Sequence, residues 1–331
     1  MKRNPHTVLK LSLLLAAILA GAVLPGFARA QTDTYPNKPI RLIVPFPPGG
    51  SVDLNARLLS AKLSELLGQQ LVVDNRSGAS GMIGSEAVAR AAPDGYTLLL
   101  QTVTFVTSTI LYSRVPYDPV SDFAPISLLS NVPTAVAVHP SLPVRSVREL
   151  LALAKARPGE LNYASSGIGS NSNITGELFN LLGKTNIVAV QFKGGGPALL
   201  AAVSGECPIS FSNISETARM VEAKRLRALG VSSLKRSPIL PNVPTIAEAG
   251  LPGFEFQAWH GLLAPKGTPP KLVAFLNEKL RSAMSSPDQV KRFQERGMDV
   301  VTNSPEEFTA YLKDEVKKWG RVIRERNMKA E

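Results

Sequence analysis

Apolar positions along the chain follow two alternating patterns. From Ile40 to Pro45 they form a near-continuous run, as expected for a strand buried on both faces. Leu54, Leu58, Leu59, Leu63 and Leu66 then recur at helical spacing, and Gly68 closes that helix. Leu71 to Asp74 predicts a second strand, Ile83 to Ala91 a helix and Thr97 to Leu100 a third strand. Strand–helix–strand units of this length predict parallel sheet with right-handed crossovers.

A second series follows a proline-rich middle. Thr134 to Val138 predicts a strand, and Val147 to Ala156 a helix ended by Pro158-Gly159. Leu161 to Ala164 predicts a strand, Ile174 to Leu182 a helix and Ile187 to Phe192 a strand. Pro197 suits the first turn of a further helix. Ile209 to Phe211 and Leu226 to Val231 read as short strands. The C-terminal third reads as mostly helical, over Pro270 to Ser285, Asp288 to Arg296 and Pro305 to Arg326. The fold class is therefore α/β, in two lobes. One is expected from residues 31–131 plus 253–331 and the other from 132–252, joined at Val132-Pro133 and Leu251-Pro-Gly253. Ligands of open α/β sheets bind beyond the carboxyl ends of strands. Two lobes facing each other make a cleft that can close by a hinge.

The first 30 residues stand apart. Lys2, Arg3 and Lys10 precede an apolar run from Leu11 to Val23, and Ala28-Arg-Ala30 is a small-x-small site. This is the pattern of a secretory signal peptide cleaved after Ala30, with Gln31 as the mature start. Periplasmic localisation follows. That segment carries four basic and no acidic residues, so removing it lowers the formal net charge from +11 to +7. The remaining charge suits an anionic ligand. The Lys and Arg residues are dispersed rather than interleaved with aromatics, which argues against nucleic acid. Cys207 is the only cysteine, so no intramolecular disulfide is possible, and it reads as a small buried hydrophobe.

Three turns of small residues carry the candidate chemistry. In Pro47-Pro-Gly-Gly-Ser-Val-Asp53, Gly49 and Gly50 let the backbone approach a ligand closely. The N–H groups of Gly50, Ser51 and their neighbours are expected to point into the cleft, backed by the positive end of a helix. Ser51 or Asp53 can instead cap that helix. The turn Ser165-Ser-Gly-Ile-Gly-Ser170 supplies hydroxyls and glycines before the next helix, with the same two readings. Lys193-Gly-Gly-Gly-Pro197 can add N–H donors, although Lys193 also reads as a solvated loop residue. Asn213 can touch a ligand or cap a helix, and Thr102 and Thr104 follow a strand's carboxyl end.

An enzyme needs more. Of the histidines outside the signal segment, His139 reads as a loop residue and His260 as a residue that can border the cleft. Neither has a metal-ligand partner at useful spacing. No Gly-x-Ser-x-Gly elbow is present. Gly183-Lys-Thr185 ends like a phosphate-binding loop, but Leu178 occupies the place of its first glycine. Ser172 likewise stands where Gly167-x-Gly169 would need the third glycine of a dinucleotide fingerprint. No cofactor, metal or catalytic pair is expected.

Several segments, in order, carry a resemblance. They are Tyr35-Pro-Asn-Lys-Pro-Ile-Arg-Leu-Ile-Val-Pro-Phe-Pro-Pro-Gly-Gly-Ser-Val-Asp53, Leu67-Gly-Gln-Gln-Leu-Val-Val-Asp-Asn-Arg76, Ala92-Pro-Asp-Gly-Tyr96, Val115-Pro-Tyr-Asp-Pro-Val-Ser-Asp-Phe-Ala-Pro125 and Ser237-Pro-Ile-Leu-Pro-Asn-Val-Pro-Thr245. Together they resemble the Bug family, periplasmic solute-binding proteins of tripartite tricarboxylate transporters. The resemblance implies a two-lobed Venus-flytrap fold with a small organic acid in the cleft. It implies that the turns at Phe46 to Asp53, Pro48 included, and at Ser165, Ser166, Gly167 and Ser170 grip one carboxylate through backbone N–H groups and water. It places Thr102, Lys193, Gly194 and Asn213 near the other end of the ligand. The family often carries His at position 173 and Asp at 212, where this chain has Asn173 and Ser212. Ser212 weakens the case for an amino-acid ligand. The expected partners are membrane transporter subunits, with the receptor a monomer. Alternatives are a periplasmic sensor feeding a signalling system, or a periplasmic enzyme acting on a carboxylate.

Overall fold

The computed structural model describes residues 35–330; the signal-peptide reading and the Gln31 start lie outside them. The chain divides after Asn37, and of the first unit only 35–37 are described, an irregular stretch with a cis Tyr35–Pro36 bond. Everything below concerns the second unit, from Lys38 onward.

Strand β1 (Ile40–Val44) is buried except at Arg41. It leads through a proline-glycine turn into α1 (Ser51–Leu67), which Gly68 ends in the left-handed conformation that favours glycine (φ 66°). The buried stripe of α1 is Val52, Ala56, Leu59, Leu63 and Leu67. It is rotated from the predicted one, leaving Leu54 47% exposed, because Asp53 and Asn55 turn inward toward the turn and His260. Next come β2 (Leu71–Asn75), α2 (Met82–Ala89), β3 (Thr97–Gln101) and α3 (Thr104–Leu111). As expected, β1 pairs in parallel with both β2 and β3.

The strand expected at Thr134 to Val138 is the end of a 16-residue strand, β4 (Phe123–Val138). Pro125 and Pro133, with Ser127, Ser130 and Asn131, hide its first part from a pattern search. Proline demotes a strand reading, and the register here slips at two irregularities. The second series continues with α4 (Val147–Ala156), β5 (Asn162–Ser165), α5 (Asn171–Gly183), β6 (Val188–Gln191), α6 (Gly195–Ser204), β7 (Ile209–Asn213), α7 (Ile214–Glu222) and β8 (Arg227–Val231). Here β5 pairs in parallel with β6 and β7.

The C-terminal third carries the three helices its pattern predicts, together with strands the pattern hides. It opens with β9 (Gln257–Pro265), whose Trp259-His-Gly261 stretch breaks any strand signature. Helices α8 (Pro270–Ser285) and α9 (Pro287–Gln294), strand β10 (Asp299–Val300) and helix α10 (Pro305–Glu325) complete the chain. Helix α10 starts with a reciprocal capping box between Ser304 and Glu307.

The strands run in the order β2-β1-β3-β9-β4-β7-β5-β6, with β8 and β10 also on β4. Strand β4 joins the two series. Its Phe123–Pro133 part runs antiparallel to β9, and its Thr134–Val138 part antiparallel to β7. Burial around this junction is deep: Trp259 and Trp319 are both enclosed, and each donates its indole N–H to Oε2 of Glu315, at 2.8 and 2.7 Å. Cys207 packs in an apolar cluster with Ala164, Ala202 and Leu226. No described helix is long and apolar enough to cross a membrane.

Candidate ligand-binding site

The turn after β1 is shaped by one left-handed glycine and one buried acid. Gly49 has φ 85° and open space where a Cβ would stand. Gly50, the N-cap of α1, has an ordinary extended backbone (φ −75°, ψ 170°). Only Gly49 therefore needs glycine for its backbone; Gly50 leaves room above the helix end. Neither Ser51 nor Asp53 is the N-cap residue. Asp53 instead reaches back from the first turn. Its Oδ2 accepts the Gly49 N–H and Arg57 Nε–H, each at 2.9 Å, and its Oδ1 accepts from Asn75 Nδ2 at 3.0 Å. Asn75 also donates to the Phe46 carbonyl at 3.0 Å. Burial alone would raise the Asp53 carboxyl, but the bonds from Arg57, Gly49 and Asn75 outweigh it and hold it below the ordinary carboxylate range. Among the described residues the N–H groups of Gly50, Ser51 and Val52 have no partner. They are the orphan donors of a helix start.

The turn after β5 is tied by hydroxyls. Ser172 Oγ accepts the Ser166 N–H at 2.8 Å and lies 2.8 Å from Ser166 Oγ and 3.2 Å from Ser170 Oγ. Ser170 is the N-cap of α5. Ser165 is buried, and its hydroxyl donates to the Gly167 carbonyl at 3.3 Å. Gly169 (φ 73°) approaches α3 so closely that a Cβ would stand 2.5 Å from Leu111 Cδ1, and its carbonyl accepts from Thr107 Oγ1 at 2.9 Å. Its N–H donates to Asn173 Oδ1 at 2.9 Å. Asn173 in turn donates to Tyr163 Oη (3.1 Å), Tyr163 donates to Glu177 Oε1 (3.0 Å) and Arg326 to Glu177 Oε2 (2.8 Å). Burial, and then the Glu177 charge, push the Tyr163 hydroxyl well above its usual range, so it stays protonated. Asn173 thus braces the turn from behind and does not face a ligand.

Both turns line one cavity of about 580 Å³, together with the loop into α6 and the start of α7. Phe46, Pro48, Gly49, Gly50, Ser51, Thr102, Ser166, Ser170, Lys193, Gly194 and Asn213 all border it. Asp53, Ser165 and Gly167, singled out with them, do not; Asp53 and Ser165 are buried behind their turns. His260 does not border it either, contrary to expectation. It is fully buried beside Asn55 Nδ2 (3.1 Å) and Ser130 Oγ (3.3 Å), and burial lowers its pKa to about 3, so the ring is neutral.

The wall also holds groups that sequence reading passed over. Asn171, Ser172, Glu216 and Arg219 face the space, and so do Thr104 and Ser212, which the sequence had marked. The buried hydroxyls of Thr102 and Thr104 and the Asn171 Oδ1 have no partner among the described residues. Buried polar atoms of this kind call for a ligand or water. Thr104 shares the strand-end position that marked Thr102. Glu216 and Arg219 lay on a helix whose direction the pattern could not show. The cavity therefore presents unpaired N–H groups and hydroxyls around its two turns, with Lys193 and Arg219 as cations. That set suits an anion with several acceptor oxygens.

Comparison with known proteins agrees with this geometry. Residues 55–328 match the profile described as the tripartite tricarboxylate transporter family receptor. BugT of Bordetella pertussis is 38% identical over 91% of this chain and 93% of its own length. A structure of Rpa4515 from R. palustris with adipate is 36% identical, covers 89% of this chain and 99% of its own, and superposes with a TM-score of 0.83. MatC of Rhodopseudomonas palustris, with bound malate, is 33% identical, covers 87% of this chain and 100% of its own, with a TM-score of 0.79. The fold is that of the two-lobed periplasmic solute-binding proteins. By the extent of the profile match and these identities, the chain belongs to the tripartite tricarboxylate transporter receptor family, the Bug proteins.

Proposed function

We propose that this protein is an extracytoplasmic receptor that captures a small carboxylate and delivers it to the membrane subunits of a tripartite tricarboxylate-type transporter. The observation that carries this reading is a set of unpaired helix-start N–H groups and a cluster of hydroxyls around one cavity. The Gly50, Ser51 and Val52 N–H groups stand on one wall and the Ser166–Ser170–Ser172 hydroxyls on another. A carboxylate held there gains charge-assisted hydrogen bonds and the positive end of α1. The adipate and malate named with two relatives belong to the same chemical class.

Capture works by closure of two lobes, residues 31–131 plus 253–331 against 132–252. The change of pairing partner along β4 at Pro133–Thr134 supports that division. The protein holds its ligand without covalent chemistry. It acts as a monomer. Secretion with cleavage after Ala30 places it in the periplasm. A thermal-shift screen of di- and tricarboxylates, aromatic acids and amino acids tests the reading. At a ligand concentration about 100-fold above Kd, stability should rise by roughly 2.7 kcal/mol. A screen in which only uncharged or cationic solutes stabilise the protein would overturn it.

A further inference from the structure

The cavity that suits an anion contains one acid of its own. Glu216 sits in the first turn of α7 and borders the space. Its two carboxylate oxygens lie 3.8 and 3.9 Å from where a Cβ on Gly195 would stand. Around that point Gly194, Gly195 and Gly196 present no side chain, and Gly194 has φ 104°, a conformation that favours glycine. The carboxylate therefore overlooks a bare stretch of backbone inside the cavity. No cation stands within ion-pair distance of it among the described residues. Asn213, the N-cap of α7, gives it one side-chain hydrogen bond, Arg219 on α7 attracts it from further off, and Lys193 is an exposed residue of the facing loop.

A half-buried carboxylate facing a ligand space has more acceptor sites than one amide donor fills, and leaving them unpaired is costly. The ligand's own carboxylate, gripped at the other turns, cannot fill them. A second unsubstituted carboxylate would face a like charge. Asn213 fills only part of the carboxylate's acceptor capacity, and a hydroxyl or amino group would supply a further donor. We propose that Glu216 is a specificity-determining residue that accepts a hydrogen bond from a hydroxyl or amino substituent on the ligand. The site then takes hydroxy- or amino-substituted carboxylates in preference to their unsubstituted counterparts. This inference rests on the carboxylate-receptor reading above.

Matched pairs test it by calorimetric titration of the mature protein. Malate against succinate isolates a hydroxyl, and glutamate against glutarate isolates an amine. The substituted member of at least one pair should bind at least about tenfold tighter, because a site built for a donor rejects the analogue lacking it. Glu216→Ala should bring that pair to within about threefold while leaving the unsubstituted acid's affinity unchanged or improved. An unaltered circular dichroism spectrum and melting temperature would show that the variant folds. Which pair responds tells the hydroxyl from the amine. If the parent binds both members of each pair equally, or Glu216→Ala leaves the preference intact, the assignment falls and the receptor reading stands. A parent that binds no carboxylate overturns both.

Discussion

Replacing Asn173 by alanine strips the brace from the turn after β5. Its side chain makes two buried hydrogen bonds, from the Gly169 N–H at 2.9 Å and to Tyr163 Oη at 3.1 Å. Tyr163 keeps Glu177 as a partner, so its loss is about one ordinary hydrogen bond, roughly 1 kcal/mol. The Gly169 N–H is stranded in a buried position and costs about 1–3 kcal/mol more. The expected destabilisation is therefore about 2–4 kcal/mol, read as a drop in the urea unfolding midpoint at constant slope. Tyr163→Phe should also destabilise, because it removes the shared bond and the bond to Glu177 Oε1. The double variant should lose less than the sum, since the shared bond counts once. The same turn carries Ser166 and Ser170 into the cavity, so Asn173→Ala should also weaken binding of whichever acid the screen identifies. A stability change below about 0.5 kcal/mol would refute the bracing argument. A large change with unaltered affinity would show that this turn is not part of the grip.

Two further outcomes follow from the geometry. Gly49→Ala should destabilise the fold by about 1–2 kcal/mol, because φ 85° is a left-handed angle that alanine resists, although no neighbour stands in its way; urea unfolding measures it. His260 titrates near 6.5 when unfolded and near 3 when folded, so between those values the unfolded chain binds the extra proton. Its contribution is complete above pH 6.5 and is lost as pH falls toward 3. Stability should thus decline by up to about 1.4 kcal/mol per pH unit below 6, and His260→Gln should flatten that slope.

Much of the fold was legible because the chain marks it strongly. Pro270 and Pro305 open helices, Gly68 stands at a helix end, and β1 is a near-continuous apolar run. The first part of β4 and the whole of β9 were not legible. Pro125, Pro133 and Gly261 interrupt β4 and β9, and their partners lie more than a hundred residues apart. The cavity wall was readable wherever a turn of small residues follows a strand, as at Gly50 and Ser166. Roles set by distant contacts were not. Asp53 looked like a ligand contact, and only its bonds to Gly49, Arg57 and Asn75 show that it faces backwards. Asn173 looked like a specificity position, and only Tyr163 and Gly169 reveal a brace. Glu216 carried no sequence signal, because a lone glutamate in a short helix usually faces solvent.

The central claim is that the carboxylate is held at the start of α1. Gly50→Val tests it most directly. The backbone there already has an extended angle that valine accepts, and its Cβ would meet only the Pro47 carbonyl at an ordinary 3.7 Å. The variant should fold normally while its side chain covers the Gly50–Val52 donors. Calorimetric titration with the identified acid should show affinity reduced at least about a hundredfold, or about 2.7 kcal/mol. A normally folded Gly50→Val protein that binds the acid as tightly as the parent would place the carboxylate elsewhere and contradict the account.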